Sequence, residues 1–193
     1  MKKLKFFILF FVVVSYSQLS SSQNIDSVSF NKKWFASIDY GIQMSGIKSE
    51  DFISSNYSHL IRIIVGKWLN KNIAIQGGYQ GRYFNAIADN DKHFYDFYFA
   101  EVVFNAKNIL LSKKEDNRFY DLLFHVGFGY FQNHYYGNSA IHGIIGTSNH
   151  FSISDRIKIK FDIGAIVGWD IYQGNDDILP SLSLGLVYSM GKI

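Results

Sequence analysis

The stretch YDLLFHVGFGY, residues 120–130, alternates between apolar side chains and small or polar ones. Its first face carries Tyr120, Leu122, Phe124, Val126, Phe128 and Tyr130, and its second face carries Asp121, His125, Gly127 and Gly129. Successive side chains of a β-strand point to opposite faces of the sheet, so apolar residues at every second position indicate a strand with one apolar face. This stretch therefore predicts a strand that is apolar on one side.

The same alternation recurs in eight segments between residues 34 and 190. In chain order, their apolar faces include Ile38, Ile63, Ile75, Val102, Val126, Ile145, Ile163 and Leu184. In the strand interiors we expect no charge on these apolar faces. Eight such strands predict an all-β fold, an eight-stranded antiparallel up-and-down transmembrane β-barrel whose apolar face contacts lipid. The proline, Pro180, lies at the start of the last strand, where a missing backbone donor is best tolerated.

The N-terminal residues have the pattern of a secretory signal. Three lysines within residues 1–5 precede the apolar run FFILFFVVV, and the triplet SYS follows at residues 15–17. These nine apolar residues are too few for a membrane-spanning helix, which needs about 20. We therefore expect a signal peptide at residues 1–17 that is cleaved before Gln18, a short leader at 18–32 and an outer membrane barrel at 33–193.

The composition argues against nucleic-acid binding and against a protein held by disulfides or by a lipid anchor. Three of the 19 basic residues lie in the signal, so the mature chain has as many basic as acidic residues and no basic patch that suggests nucleic acid. Charged residues make up 18% of the chain, below the roughly 25% of soluble domains. The chain has no cysteine, so neither disulfides nor a lipid anchor on cysteine are available.

The alternation does not say by itself which face is outside, because a soluble lipocalin-like barrel is apolar inside and polar outside. The polar face here is rich in glycine and has few charges in each strand, which suits a crowded lumen. Aromatic residues also gather near the predicted strand ends, as they do at membrane interfaces. They are Trp34 and Trp68 on one side and Tyr83, Tyr130 and Trp169 on the other. We therefore favour the membrane barrel.

The connections alternate in character. Those at 46–58, 84–92, 132–139 and 170–178 are polar and of moderate length, and those at 68–72 and 154–156 are shorter. The segment at 108–118 is a long exception among the second set. With both termini in the periplasm, the first set would face the cell exterior and the second set the periplasm.

The polar face predicts a network of charges in the lumen, formed by Asp39, Arg62, Arg82, Glu101, Asp121, Lys158, Lys160 and Asp162, with Lys107 near one end. Charges in a low-dielectric interior need partners. We expect Glu101 to pair with Arg82, and Asp162 to pair with Lys158 and Lys160. Such pairing predicts a plugged lumen, and an ion pathway is the less favoured interpretation because eight strands leave no wide channel.

Catalytic and metal-binding motifs are weak. The histidines, including His134, His142 and His150, lack metal-ligand spacing, and Gly127-Phe128-Gly129 is not a nucleotide fingerprint. Outer membrane lipid A deacylases use a His-x-Ser pair, which His150 and Ser152 resemble. Strand parity, however, points both residues into the lumen on the predicted periplasmic side, where such an active site would not meet its lipid. We expect no metal, no cofactor and no enzymatic activity.

The mature chain resembles the small outer membrane β-barrel proteins of Bacteroidetes and is similar to the barrel half of their OmpA-like proteins. The resemblance is strongest at 104–131, at 149–168 and in the ending LSLGLVYSMGKI. The chain stops at the eighth strand and ends in Ile193 instead of a terminal Phe, although Tyr188 keeps an aromatic residue in that strand. We therefore do not expect peptidoglycan tethering on the basis of this resemblance.

Three functions remain open at this point. The first is a non-enzymatic barrel with a structural or surface-interaction role, in contact with outer membrane lipid and with an envelope or extracellular protein at its polar loops. The second is a narrow passive pore, and the third is a lipid A-modifying enzyme. For the first function we expect a monomer of the cell outer membrane that binds no nucleic acid.

Overall fold

A computed structural model describes residues 34–45, 57–85, 92–107, 119–169, 171 and 178–190. The predicted signal peptide at 1–17, its cleavage site and the leader at 18–32 lie outside the described residues. Among the described residues, no helix is long and apolar enough to cross a membrane.

Eight antiparallel strands form one closed barrel in sequence order, which confirms the predicted fold class. The strands are β1 (Trp34–Met44), β2 (Tyr57–Trp68), β3 (Ile73–Asn85), β4 (Lys92–Asn105), β5 (Tyr120–Asn133), β6 (Asn138–Ser152), β7 (Ile157–Val167) and β8 (Ile178–Met190). Each strand pairs with its neighbours in the chain, and β1 closes the ring by pairing with β8. All backbone pairing is thus between adjacent strands, and the sheet has no free edge.

The apolar faces of the strands point outward. Val126 on β5 is 46% exposed and Leu184 on β8 is 59% exposed, whereas Gln80 on β3 and Asp162 on β7 are buried. The strand patterns alternate accordingly, as in the eBeBeBeBeB run at the start of β2. This arrangement is the reverse of a soluble lipocalin-like barrel and gives the molecule a continuous apolar belt.

Two details of the outer surface differ from the prediction. Asp96 is the fifth residue of β4 and shares its face with the exposed Phe94 and Tyr98, so the outer face does carry a charge within a strand. Trp68 is not part of an outer aromatic girdle, because it shares parity with Leu60 and Ile64 on the inner face and packs on Phe35, with ring centroids 6.2 Å apart. Tyr130 and Trp169 do lie exposed on the outside.

The two ends of the barrel hold different strand termini. We call the end that holds Trp34 and Met190 the terminal end; the strand termini there also include Trp68, Ile73, Asn105, Tyr120, Ser152 and Ile157. The opposite end, which we call the loop end, holds the strand termini Met44, Tyr57, Asn85, Lys92, Asn133, Asn138, Val167 and Ile178. The strand ends that flank the two predicted sets of connections therefore lie at opposite ends of the barrel.

Candidate functional site

The centre of the lumen is built around one buried arginine. The Arg62 Nη1 group donates to Asp162 Oδ1 at 2.7 Å, and Nε and Nη2 both donate to Gln80 Oε1, at 2.8 and 2.6 Å. The side chains of Arg62 and Asp162 are 1% and 2% exposed. Strands β2, β3 and β7 supply these residues, so the arginine connects opposite sides of the barrel through its interior.

A second buried ion pair lies beside the first. Lys160 Nζ is 2.6 Å from Asp39 Oδ2 and 3.8 Å from Asp162 Oδ2, so it links β1 with β7. Gly185 on β8 is opposite Asp39 in register, and a Cβ atom there would overlap the Asp39 carboxylate. The glycine therefore supplies the space in which this carboxylate fits against the barrel wall.

His125 completes the central network. Its Nδ1 atom is 2.6 Å from Glu101 Oε1, and its Nε2 atom is 3.2 Å from Asp162 Oδ2, an ion-pair contact without hydrogen-bond geometry. Glu101 also accepts a hydrogen bond from Gln76 Nε2 at 2.6 Å. Both ring nitrogens thus lie within ion-pair distance of carboxylate oxygens, and two carboxylates at this distance stabilise the imidazolium form. This geometry favours a positively charged His125, which balances the carboxylates of the network with Arg62 and Lys160.

A further ion pair lies nearer the terminal end. Lys158 Nζ is 2.6 Å from Asp121 Oδ2, and the two side chains are 26% and 21% exposed. Asn105 Nδ2 donates to the same carboxylate at 3.3 Å. This pair is more solvated than the central pairs and belongs to the mouth of the lumen.

The structure brings most of the predicted charges together, but it changes their partners. The predicted pairing of Glu101 with Arg82 is wrong, because Glu101 lies opposite Gln76 in register and binds His125, whereas Arg82 is exposed. Between the pairs Gln80–Phe97 and Tyr83–Phe94, the β3–β4 pairing is interrupted at the position of Arg82. Lys158 was expected to pair with Asp162 and instead binds Asp121. Lys107 is buried and donates to the Tyr120 carbonyl oxygen at 3.0 Å.

An aromatic layer fills the loop end of the lumen, and the alternation of the strands alone did not predict it. Tyr95 stacks on Phe131 with ring centroids 4.9 Å apart, and Phe84 and Phe97 pack on the same pair. The layer consists of Phe84, Tyr95, Phe97, Phe99, Phe131, Ile144, Ile166, Ile171 and Leu179, all buried. The Tyr95 hydroxyl hydrogen-bonds to Gln43 and accepts from Gln80 Nε2, which joins this layer to the Arg62 network. In the sequence, Tyr95, Phe97 and Phe99 lie an even number of positions before Glu101, so they share its strand face. This spacing could have indicated that the three rings enter the lumen.

A small cavity remains at the terminal end of the lumen. Its volume is about 30 Å³, which is room for one or two water molecules. Its polar lining includes Ser37, Gln76, His150 and Lys158. The lumen is thus polar and slightly open toward the terminal end, charged in the middle and aromatic toward the loop end.

A polar cluster lies on the outer surface near the loop end. Tyr79 on β3 donates from its hydroxyl group to Asp96 Oδ1 at 2.7 Å, and His134 Nε2 is 2.7 Å from Asp96 Oδ2. At the rim, the His93 ring stacks on Tyr135 with centroids 4.1 Å apart. These contacts fix polar and aromatic side chains at the border between the apolar belt and the loops.

The structure places the candidate catalytic pair in the lumen. His150 is buried and lies opposite Asp121 in register, but the Asp121 carboxylate is bound by Lys158. Ser152 lies opposite Lys158, next to the turn at 153–156 of the terminal end. Within the described parts of the chain, no group of three or more histidine and acidic residues could hold a metal ion. This arrangement can fill and rigidify a lumen, and it presents no ordered nucleophile and base to a lipid.

Comparisons with known proteins address the fold. No family model matches the chain, and no curated protein matches it. Among solved structures, the chain is similar to Neisserial surface protein A, with a TM-score of 0.56 and 8% identity, over 82% of this chain and 97% of that one. It is also similar to the N-terminal β-barrel domain of Pseudomonas aeruginosa OprF, with a TM-score of 0.52 and 8% identity, over 82% of this chain and 98% of that one. The chain therefore has the fold of small eight-stranded outer membrane barrels.

Proposed function

We propose that this protein is a non-enzymatic barrel of the bacterial outer membrane, with a structural or surface-interaction role carried by its loop end. The observation that carries the proposal is the combination of an apolar outer belt with a lumen that buried side chains fill. The resemblance to the small outer membrane barrels of Bacteroidetes belongs to the same proposal.

The outer belt supports the membrane location. Ile38, Ile63, Phe128 and Leu186 are each about half exposed or more, and each lies on the outer face of a different strand. Monomeric soluble proteins rarely expose so much contiguous apolar surface. A closed barrel also pairs its strands with one another and leaves no free edge, which the hydrocarbon core of a membrane requires.

The filled lumen supports an interaction role over a pore. An ion that entered from the terminal end would have to pass the Arg62–Asp162 pair and then the stacked Tyr95 and Phe131 rings. Passage through this layer would require several buried side chains to move together, and eight strands leave little space for that. The work of the protein would then lie at its surface, where the loop end presents Tyr135 and Trp169, 50% and 84% exposed, for contact with an envelope or extracellular protein.

Cell fractionation with a gel-mobility assay tests the proposal. After expression with its own N-terminal segment in a Gram-negative host, the protein should sediment with the outer membrane. It should also migrate faster without boiling, because a closed barrel remains compact in detergent. A protein found soluble in the periplasm, with one mobility before and after boiling, would overturn the proposal. Conversion of lipid A in cells that express the wild type would favour the enzymatic alternative instead.

A further inference from the structure

The outer face of β1 to β5 contains an open apolar groove of about 770 Å³. Val65, Gly77, Ala100 and Phe128 lie side by side in register on β2, β3, β4 and β5. Because Gly77 has no side chain and Ala100 has only a methyl group, the surface is lowered between the Val65 and Phe128 side chains. The groove is therefore a depression in the belt that faces lipid.

A second register row forms the other wall of the groove and begins at the terminal end. Trp34 pairs with Lys67, Lys67 with Ile75, Ile75 with Val102, and Val102 with Val126. Trp34 is the first residue of β1, whereas Val126 is the seventh of β5. Because strands of such barrels tilt by about 35–45°, a row that crosses them rises from the membrane interface toward the middle of the belt. The groove follows that rise.

A lysine side chain lies at the end of the groove nearest the terminal end of the barrel. Lys67 follows Val65 on the outer face of β2, and its Nζ atom is 5.1 Å from the centroid of the Trp34 ring. Among the described residues, no ion pair includes Lys67. A lysine beside a tryptophan at the level where the belt ends is well placed to meet the anionic headgroup of a lipid.

We propose that this groove is a binding site for one phospholipid of the periplasmic leaflet, with the phosphate at Lys67 and an acyl chain over Gly77 and Ala100. The inference rests on the proposed location in the outer membrane, with the termini in the periplasm. A groove in a hydrocarbon environment is filled by hydrocarbon, because an empty one forfeits dispersion contacts along its whole lining. Lys67 adds a preference for a phosphate over an uncharged headgroup.

A second copy of this chain fits the groove less well. Two concave faces do not fill each other, and a symmetric pairing would bring identical surfaces, with their lysines, together. A flexible acyl chain can follow the rise of the groove, and its headgroup supplies the anion that Lys67 requires. The lipid is therefore the occupant that matches both the shape and the charge.

Native mass spectrometry of the folded full chain in mild detergent tests this site. With phosphatidylglycerol added, the wild type should retain one lipid in preference to further ones. Lys67→Gln should weaken that retention about fivefold, because one lysine near a lipid surface contributes about 1 kcal/mol. Ala100→Phe should abolish it, because the ring would occupy the groove. With uncharged diacylglycerol, retention should be weaker and insensitive to Lys67→Gln.

Matched controls separate the site from general effects. Lys71→Gln removes an exposed cation of the nearby turn, and Ala165→Phe adds a ring to the outer face of β7, away from the groove; both should retain lipid as the wild type does. If Ala100→Phe does not fold, Ala100→Leu replaces it. Equal retention by the wild type, Lys67→Gln and the Ala100 variant would overturn the site, and so would a lipid-free dimer that the Ala100 variant dissociates. A failure of fractionation would instead overturn the proposed function.

Discussion

Arg62 illustrates at the scale of one residue why the lumen tolerates charge. Its guanidinium is buried, yet it binds Asp162 and Gln80 through several N–H groups. A buried charge is strongly unfavourable when it lacks a partner, and a well-bonded pair approximately offsets its own desolvation. The pair therefore contributes little net stability, whereas the loss of one partner leaves the buried charge of the other incompletely compensated.

We expect a strong coupling between Arg62 and Asp162. Arg62→Gln should lower the free energy of unfolding by about 3–5 kcal/mol, because it removes the nearest cation from the buried Asp162 carboxylate and leaves only the longer contacts to His125 and Lys160. Adding Asp162→Asn should then cause much less further loss, since both charges are gone. Urea unfolding of the four proteins of the double-mutant cycle, followed by tryptophan fluorescence, measures the coupling.

The Lys158–Asp121 pair provides the control for that cycle. It is about a quarter exposed, so solvent screens it, and its coupling should be about 0–1 kcal/mol. Equal couplings for the two pairs, or additive effects at Arg62 and Asp162, would contradict our description of the central network.

The sequence predicts which residues enter the lumen better than it predicts their partners. Parity alone assigns Asp39, Arg62 and Asp162 to the inner face. Glu101 binds His125, however, because the register places Gln76 and not Arg82 across from it, and register depends on how the strands pair. Histidine is counted as neutral when charges are read from the sequence. Charge patterning therefore did not reveal the imidazole that bridges Glu101 and Asp162.

At the scale of the element, β4 shows how two faces of one strand perform different tasks. Tyr98 and Val102 are exposed on its outer face, while Tyr95, Phe97 and Glu101 are buried on its inner face. The alternation predicted this division. It did not predict the aromatic layer, because inner aromatic residues look apolar in the sequence and become recognisable only when the barrel brings Phe84 and Phe131 to the same level.

Charge on the outer face should be penalised according to depth. Val126→Arg lies at the seventh position of β5, near the middle of the belt, and should lower the free energy of unfolding in lipid vesicles by about 2–4 kcal/mol. Trp169→Arg, at the rim of the loop end, should cost about 0–1 kcal/mol. If the two substitutions were equally costly, or if Val126→Arg were silent, the outer face of β5 would not be the face that contacts hydrocarbon.

At the scale of the whole molecule, the barrel combines an apolar outer belt with a filled interior. The eight alternating segments predicted a barrel, and the glycine-rich polar face together with the aromatic strand ends favoured the version with apolar residues outside. The structure added the division of the lumen into a small cavity, a charged centre and an aromatic layer. The cavity of about 30 Å³ is too small for an aqueous path.

Planar bilayer recordings test the closed interior. The wild type should give no steady single-channel current, because the Arg62–Asp162 pair and the Tyr95–Phe131 stack occupy the cross-section of the lumen. Phe131→Ala, combined with Tyr95→Ala, should remove part of that layer and raise the conductance. Large, steady currents from the wild type would favour the pore over the interaction role.

Cysteine labelling in intact cells tests directly whether the barrel spans the outer membrane with its loop end outside. The chain has no cysteine, so single variants have no background. Tyr135→Cys at the loop end should react with a membrane-impermeant maleimide in intact cells. Asp155→Cys, in the exposed turn of the terminal end, should react only after the outer membrane is permeabilised. Labelling of Asp155→Cys in intact cells, or of Tyr135→Cys only after permeabilisation, would contradict a barrel that spans the outer membrane with its loop end outside.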